Sequence, residues 1–96
     1  MLKVIAQFFI QPAKVETALP LFRELVTLSR QEEVCLAYEL FVDEEDPGHF
    51  TFIETWPDHD ALKAHSLTEH FTRLIPQIQA FERETSQITL MKAVEI

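Results

Sequence analysis

An α+β fold, with one four-stranded antiparallel sheet and helices on a single face, is predicted by three features of this sequence. Strand-like and helix-like patterns follow each other in the order β-α-β-β-α-β. The two central strands are separated by a turn sequence, Asp43 to Gly48, so they form an antiparallel hairpin. Ninety-six residues, 47% of them hydrophobic and only one a glycine, provide one modest core and therefore one domain, residues 1–96.

Each element has its own reason. Leu2 to Ile10 is dense in β-branched and aromatic residues and stops at Gln11-Pro12, which predicts a strand. From Lys14 to about Gln31 the apolar residues Val15, Ala18, Leu19, Phe22, Leu25 and Val26 recur at a helical period. Pro20 interrupts that pattern: either Thr17 caps a helix whose first turn holds the proline, or the helix kinks there. "CLAYELFV", Cys35 to Val42, and "HFTFIETW", His49 to Trp56, are the hairpin strands. Asp58 suits the N-cap of a short helix running to about His65. "SLTE", Ser66 to Glu69, has the spacing of a capping box and opens a further helical segment, which Pro76 breaks or re-aims. Ile88 to Val94 reads as the last strand. The element order is that of the split βαβ, or ferredoxin-like, arrangement.

Strand alternation normally leaves the uncovered face of such a sheet polar. Here Ile5 and Phe9 share that face with Gln7, and Met91 and Ala93 lie opposite Ile88, Leu90 and Val94. Apolar side chains on both faces predict a homodimer joined sheet to sheet. Charge narrows the partners: 16 acidic residues against 8 Lys and Arg give a net charge of −8, which repels nucleic acid and anionic membranes alike. A lone cysteine, Cys35, permits no intramolecular disulfide and fits a reducing, cytoplasmic setting. The apolar N-terminal stretch reads as a strand and not as a signal peptide, and no run reaches transmembrane length.

One stretch carries the chemistry. In the third strand Phe50, Phe52, Glu54 and Trp56 point to one side, so a carboxylate sits among three aromatic rings. That is costly unless a donor or cation meets it. The short helix after Asp58 returns over the strand and ends at His65, the nearest candidate. A Glu54–His65 pair, direct or through one water, either moves a proton near neutral pH or staples helix to strand. His70 stands apart, because five residues on a continuous helix turn it roughly 140° from His65. The chain lacks a histidine pair at helical metal spacing, so the ligand set is incomplete and no metal site is expected. With Gly48 the only glycine, phosphate-cradling loops are excluded too. Cys35 reads as a small buried hydrophobe, and Tyr38 as a packed ring or a pocket wall.

The stretches "SRQEEVCLAYEL" and "FTFIETWPDHDALKAHSLTEHF" together resemble the antibiotic biosynthesis monooxygenase family, in particular its small quinol-monooxygenase-like members. The family pattern S-R-x-E-P-G-C-x-x-Y-x-L, then F-x-x-x-E-x-W-x-D-x-x-A-L-x-x-H, then H-F, is matched from Ser29 to Phe71 apart from Glu33-Val34, which replace Pro-Gly. The opening "MLKVIAQFFIQPAK" also fits, so the resemblance covers nearly the whole chain. It implies a dimeric α+β barrel and oxidation of small aromatic or quinol-like compounds by O₂, without flavin, haem or metal. It assigns Glu54 and His65 to proton transfer, Tyr38, Phe52, Trp56 and Phe71 to the substrate pocket, and His70 to its mouth. A haem-degrading branch shares the fold, but its pattern has Asn, Trp and an axial His where this chain has Phe8, His65 and Ile75. Isomerases of small oxygenated metabolites and members without activity share the pattern as well. A Glu54–His65 proton shuttle in an isomerase, and a dimeric ligand-binding module, are therefore the alternative readings.

Overall fold

Alternation in the first strand, β1 (Leu2–Ile10), sorts its side chains: Leu2, Val4, Ala6, Phe8 and Ile10 are buried, while Lys3, Ile5, Gln7 and Phe9 lie on the other face. The computed structural model describes residues 1–96 and extends this strand into a four-stranded antiparallel sheet of order β2-β3-β1-β4. Its other strands are β2 (Ala37–Val42), β3 (His49–Trp56) and β4 (Glu82–Lys92). Three helices, α1 (Val15–Arg30), α2 (His59–Ser66) and α3 (Glu69–Gln79), give the order βαββααβ, in which α2 and α3 together fill the place of the second helix of the βαββαβ pattern. The ferredoxin-like α+β expectation is met.

The core lies between the helices and the Val4 face of the sheet. Phe22 of α1 is fully buried and stacks on Phe50 at 4.7 Å between centroids, with Phe8 edge-on at 5.8 Å. Leu25 of α1 and Leu74 and Ile78 of α3 close the same cluster.

Several boundaries differ from the expected ones. Pro20 lies inside α1 and Pro76 inside α3, and neither breaks its helix. Both prolines are on the solvent side, as are Glu16 and Thr72, four residues earlier, so the carbonyls left without an N–H partner are open to water. The N-cap of α1 is Lys14 rather than Thr17, preceded by a 3-10 turn over Pro12–Lys14. The last helix is capped by Thr68, whose Oγ1 accepts from Phe71 N, and not by Ser66, which belongs to α2. Strand β2 begins at Ala37, two residues after Cys35, and β4 begins six residues before Ile88.

The last strand also changes the account of the second face. Pairing sets Leu90 opposite Val4 and Ile88 opposite Ala6, so both point to the helix-covered side. Yet Ile88 is 57% exposed and Leu90 47%, so the helices leave this part of β4 open. The far face carries Ile5, Ile53, Phe41 and Met91 among threonines and glutamines. The exposed apolar side chains therefore lie on both faces, at β4 with Ile88, Leu90 and Met91 and at the opposite edge strand β2 with Phe41 and Val42.

The β2–β3 hairpin turn meets the end of β1 at Gly48. Its carbonyl accepts from Ile10 N at 2.7 Å, and a side chain there would collide with the Ile10 carbonyl oxygen. No helix is long and apolar enough to cross a membrane.

Candidate active site

A cavity of about 340 Å³ opens between the sheet and the pair α2 and α3. Its lining is mainly apolar, from Val4, Ala6 and Phe8 of β1 to Phe71 and Ile75 of α3. Tyr38, Phe52, Glu54 and His65 also line it, and Ser86 and Ile88 bring β4 to its edge. A small site of this kind, apolar with few convergent polar groups, suits a small hydrophobic or aromatic molecule.

Glu54 reaches the cavity because β3 alternation sends it to the helix side with Phe52 and Trp56. It is 5% exposed, and the indole N–H of Trp56 donates to its Oε1 at 2.9 Å. Burial dominates nonetheless. It pushes the carboxyl up to about 7, opposed by the Trp56 hydrogen bond and assisted by the charge of Glu32.

His65 is placed by the capping of two helices. Asp58 Oδ1 accepts from Ala61 N and starts α2, whose last turn carries the histidine. Thr68 then donates from Oγ1 to the His65 carbonyl at 2.7 Å while capping α3. The imidazole is 1% exposed, with Trp56 at 4.6 Å, Phe71 at 5.1 Å and Tyr38 at 5.4 Å between ring centroids.

The expected hydrogen bond between Glu54 and His65 is not formed directly. His65 Nδ1 instead bonds Glu32 Oε2 at 2.6 Å, across the loop that leaves α1. The same oxygen meets His70 Nε2 at 2.8 Å. Desolvation lowers the His65 pKa, against the opposing pull of Glu32. A neutral imidazole donating from Nδ1 keeps its lone pair on Nε2, and that atom is buried without a partner. Glu54 and His65 thus share one cavity wall without bonding each other.

The break between α2 and α3 explains why His65 and His70 converge, against the estimate for a continuous helix. One ends α2 and the other opens α3, so the change of direction turns both toward Glu32. With Glu32 the ligand atoms of three residues lie within 4.8 Å of one another, a grouping that the spacing of the two histidines alone did not reveal. Glu32 was visible in the S-R-x-E stretch, but nothing in its spacing ties it to residues more than thirty positions away.

Tyr38, Phe52 and Phe71 line the cavity as expected from the resemblance. Trp56 does not: it is fully buried behind the wall and holds Glu54 in place. His70 is not part of the cavity lining; its ring lies beside that of His65, 6.2 Å between centroids, and both meet Glu32. Burial and the neighbouring Glu54 charge raise the Tyr38 phenol, and burial raises the Cys35 thiol, so both stay protonated at neutral pH.

Comparison with known proteins bears on the family and the fold. The family profile described as antibiotic biosynthesis monooxygenase matches residues 1–77. A solved structure of an antibiotic biosynthesis monooxygenase is 60% identical, with a TM-score of 0.98 over 99% of this chain and 100% of that one. PA3566 from Pseudomonas aeruginosa is 34% identical, with a TM-score of 0.90 over 98% of this chain and 94% of its own. Among curated proteins, "Putative monooxygenase YcnE" of Bacillus subtilis (strain 168) is 37% identical over 62 residues. That alignment spans 65% of each protein, a little less than two thirds of the relative's length. On the profile match and the paired fold and sequence similarity, this chain belongs to the antibiotic biosynthesis monooxygenase family.

Proposed function

We propose that the protein is a cofactor-independent monooxygenase that oxidises small aromatic, quinol-like compounds with O₂ as co-substrate. The observation that carries this reading is the apolar cavity lined by a raised carboxyl, Glu54, and by His65, whose buried Nε2 has no hydrogen-bond partner.

The chemistry follows from these groups. A hydroquinone or related phenol enters between Tyr38, Phe52 and Phe71, and loses a proton to His65 Nε2. The anion is electron-rich enough to give electrons to O₂ directly. Glu54, with a pKa of about 7, exchanges a proton with the reduced oxygen as charge develops on it. In the net reaction the substrate gives up two hydrogens and four electrons. One oxygen atom enters the substrate and the other leaves as water. Glu32 holds the His65 ring in the tautomer the step requires.

The working form is proposed to be a homodimer, in which a second copy covers the apolar side chains around β4. Interfaces of this permanent kind bury more than about 2,000 Å² in total.

Oxygen uptake with a panel of hydroquinones tests the reading. Turnover is expected with the parent protein, with a loss of at least about a hundredfold in His65→Ala and Glu54→Gln, the range typical of proton-transfer groups. Equal rates in parent and variants would exclude these residues, and no uptake with any quinol would exclude the activity.

A further inference from the structure

Glu32, His65 and His70 form a cluster that the proposed oxidation uses only in part. It draws on the loop after α1, the end of α2 and the start of α3. A single oxygen, Glu32 Oε2, faces both imidazole nitrogens, at 2.6 Å and 2.8 Å. Neither Glu32 nor His70 lines the cavity, and the side chains of both are only slightly exposed.

We infer that these three side chains form a binding site for a divalent first-row transition metal, zinc(II) in the first place, and that occupancy switches the neighbouring cavity off. The donor set is two imidazoles and one carboxylate, which suits zinc and its neighbours and not the all-oxygen preference of magnesium or calcium. Three protein ligands leave a fourth position for water. Around a tetrahedral ion with ligands at roughly 2.0–2.1 Å, donor atoms sit about 3.3 Å apart. The carboxylate oxygen must therefore retreat by about 0.5–0.7 Å from the two nitrogens. The nitrogens, within 4.8 Å of each other, must settle at that same separation, which small side-chain rotations supply. Such an ion replaces the two hydrogen bonds with three coordinate bonds and leaves no ligand stranded.

The consequence for the cavity follows from the tautomer. Without metal, the His65 proton sits on Nδ1, facing Glu32, and Nε2 is the acceptor. With metal on Nδ1, a neutral imidazole carries its proton on Nε2. The nitrogen that accepts the substrate proton then no longer has a lone pair. This inhibitory half rests on the monooxygenase reading; metal binding itself does not.

The test is equilibrium dialysis and calorimetry of zinc(II) against the full chain, freed of metal beforehand, with hydroquinone oxidation followed in parallel. One zinc per chain is expected, with affinity reduced at least about tenfold in Glu32→Gln and in His70→Ala. His59→Ala, an exposed histidine on α2, is expected to bind as the parent does. Circular dichroism of each variant separates lost ligands from lost fold. Nitrogen NMR of the histidines should show the His65 proton moving from Nδ1 to Nε2 on zinc addition. Absence of stoichiometric zinc, or equal affinity in Glu32→Gln and His70→Ala, overturns the site. Zinc bound at these residues with unchanged turnover overturns the switch. Zinc bound with no turnover in the metal-free protein leaves the site standing and removes the monooxygenase reading instead.

Discussion

At the level of single residues, Glu54 carries the most readable physics. The sequence placed it among aromatic rings, and the structure shows the cost as a pKa pushed up to about 7. A carboxyl that is harder to ionise folded than unfolded lowers stability as pH rises from its ordinary value of 4.5 to about 7, and leaves it lower above that. His65 works in the opposite sense over part of this range, since its lowered pKa makes the folded state gain as pH rises toward 6.5. Glu32, His70, Tyr38 and Cys35 are the other titratable groups at this corner. Comparing Glu54→Gln with the parent cancels most of their contributions. Glutamine keeps an oxygen for the Trp56 N–H, so the variant's advantage in unfolding free energy should grow between pH 4.5 and pH 7, to at most about 3 kcal/mol. Urea unfolding across that range reads it directly; a pH-independent difference would mean that Glu54 is not desolvated. What the sequence left unreadable at this scale was the partner of His65. Strand and helix periodicity predict which residues share a face. They do not show which residue of a distant loop, here Glu32, arrives at a given nitrogen.

Among the elements, the junction of α2 and α3 decides the site. Ser66-x-x-Glu69 and Thr68-x-x-Phe71 both offer a hydroxyl before a helix, and the second won. Thr68 also bonds the His65 carbonyl, so it closes one helix while opening the next. Spacing alone does not separate two overlapping caps. Thr68→Ala should cost about 1 kcal/mol of stability, seen as a lower urea midpoint. It should also loosen the convergence of His65 and His70 on Glu32. Pro20 and Pro76 were ambiguous for a related reason, because a proline within a helix is tolerated where the freed carbonyl faces water, and side exposure is a tertiary fact. Gly48 was legible only as a turn residue; its tight contact with the Ile10 backbone appears once β1 and the hairpin are side by side. Gly48→Ala should destabilise the fold by about 1–3 kcal/mol, measurable as a fall in midpoint without loss of cooperativity.

For the whole molecule, the strand and helix order, the hairpin and the helix-covered face were all legible, since each follows from a local period of two or 3.6 residues. The reach of the helices was not. Ile88 and Leu90 point to the covered side yet stay half open, since the cavity, not a packed helix, faces this part of β4. This strand borders the cavity through Ser86 and Ile88, so a second copy packed there would both bury apolar surface and close the site. Light scattering at micromolar concentration should give a dimer mass for the parent and a monomer mass for Leu90→Asp. A monomeric parent would remove the proposed assembly.

The central claim is that this cavity inserts one atom of O₂ into a small quinol-like compound by proton transfer through His65 and Glu54. Oxidation under ¹⁸O₂ with mass analysis of the product tests it most directly. The account predicts one labelled oxygen in the product, formed by the parent protein freed of metal and nearly lost in His65→Ala with its fold intact. Product without label, or labelled product formed at the same rate by His65→Ala, would contradict it.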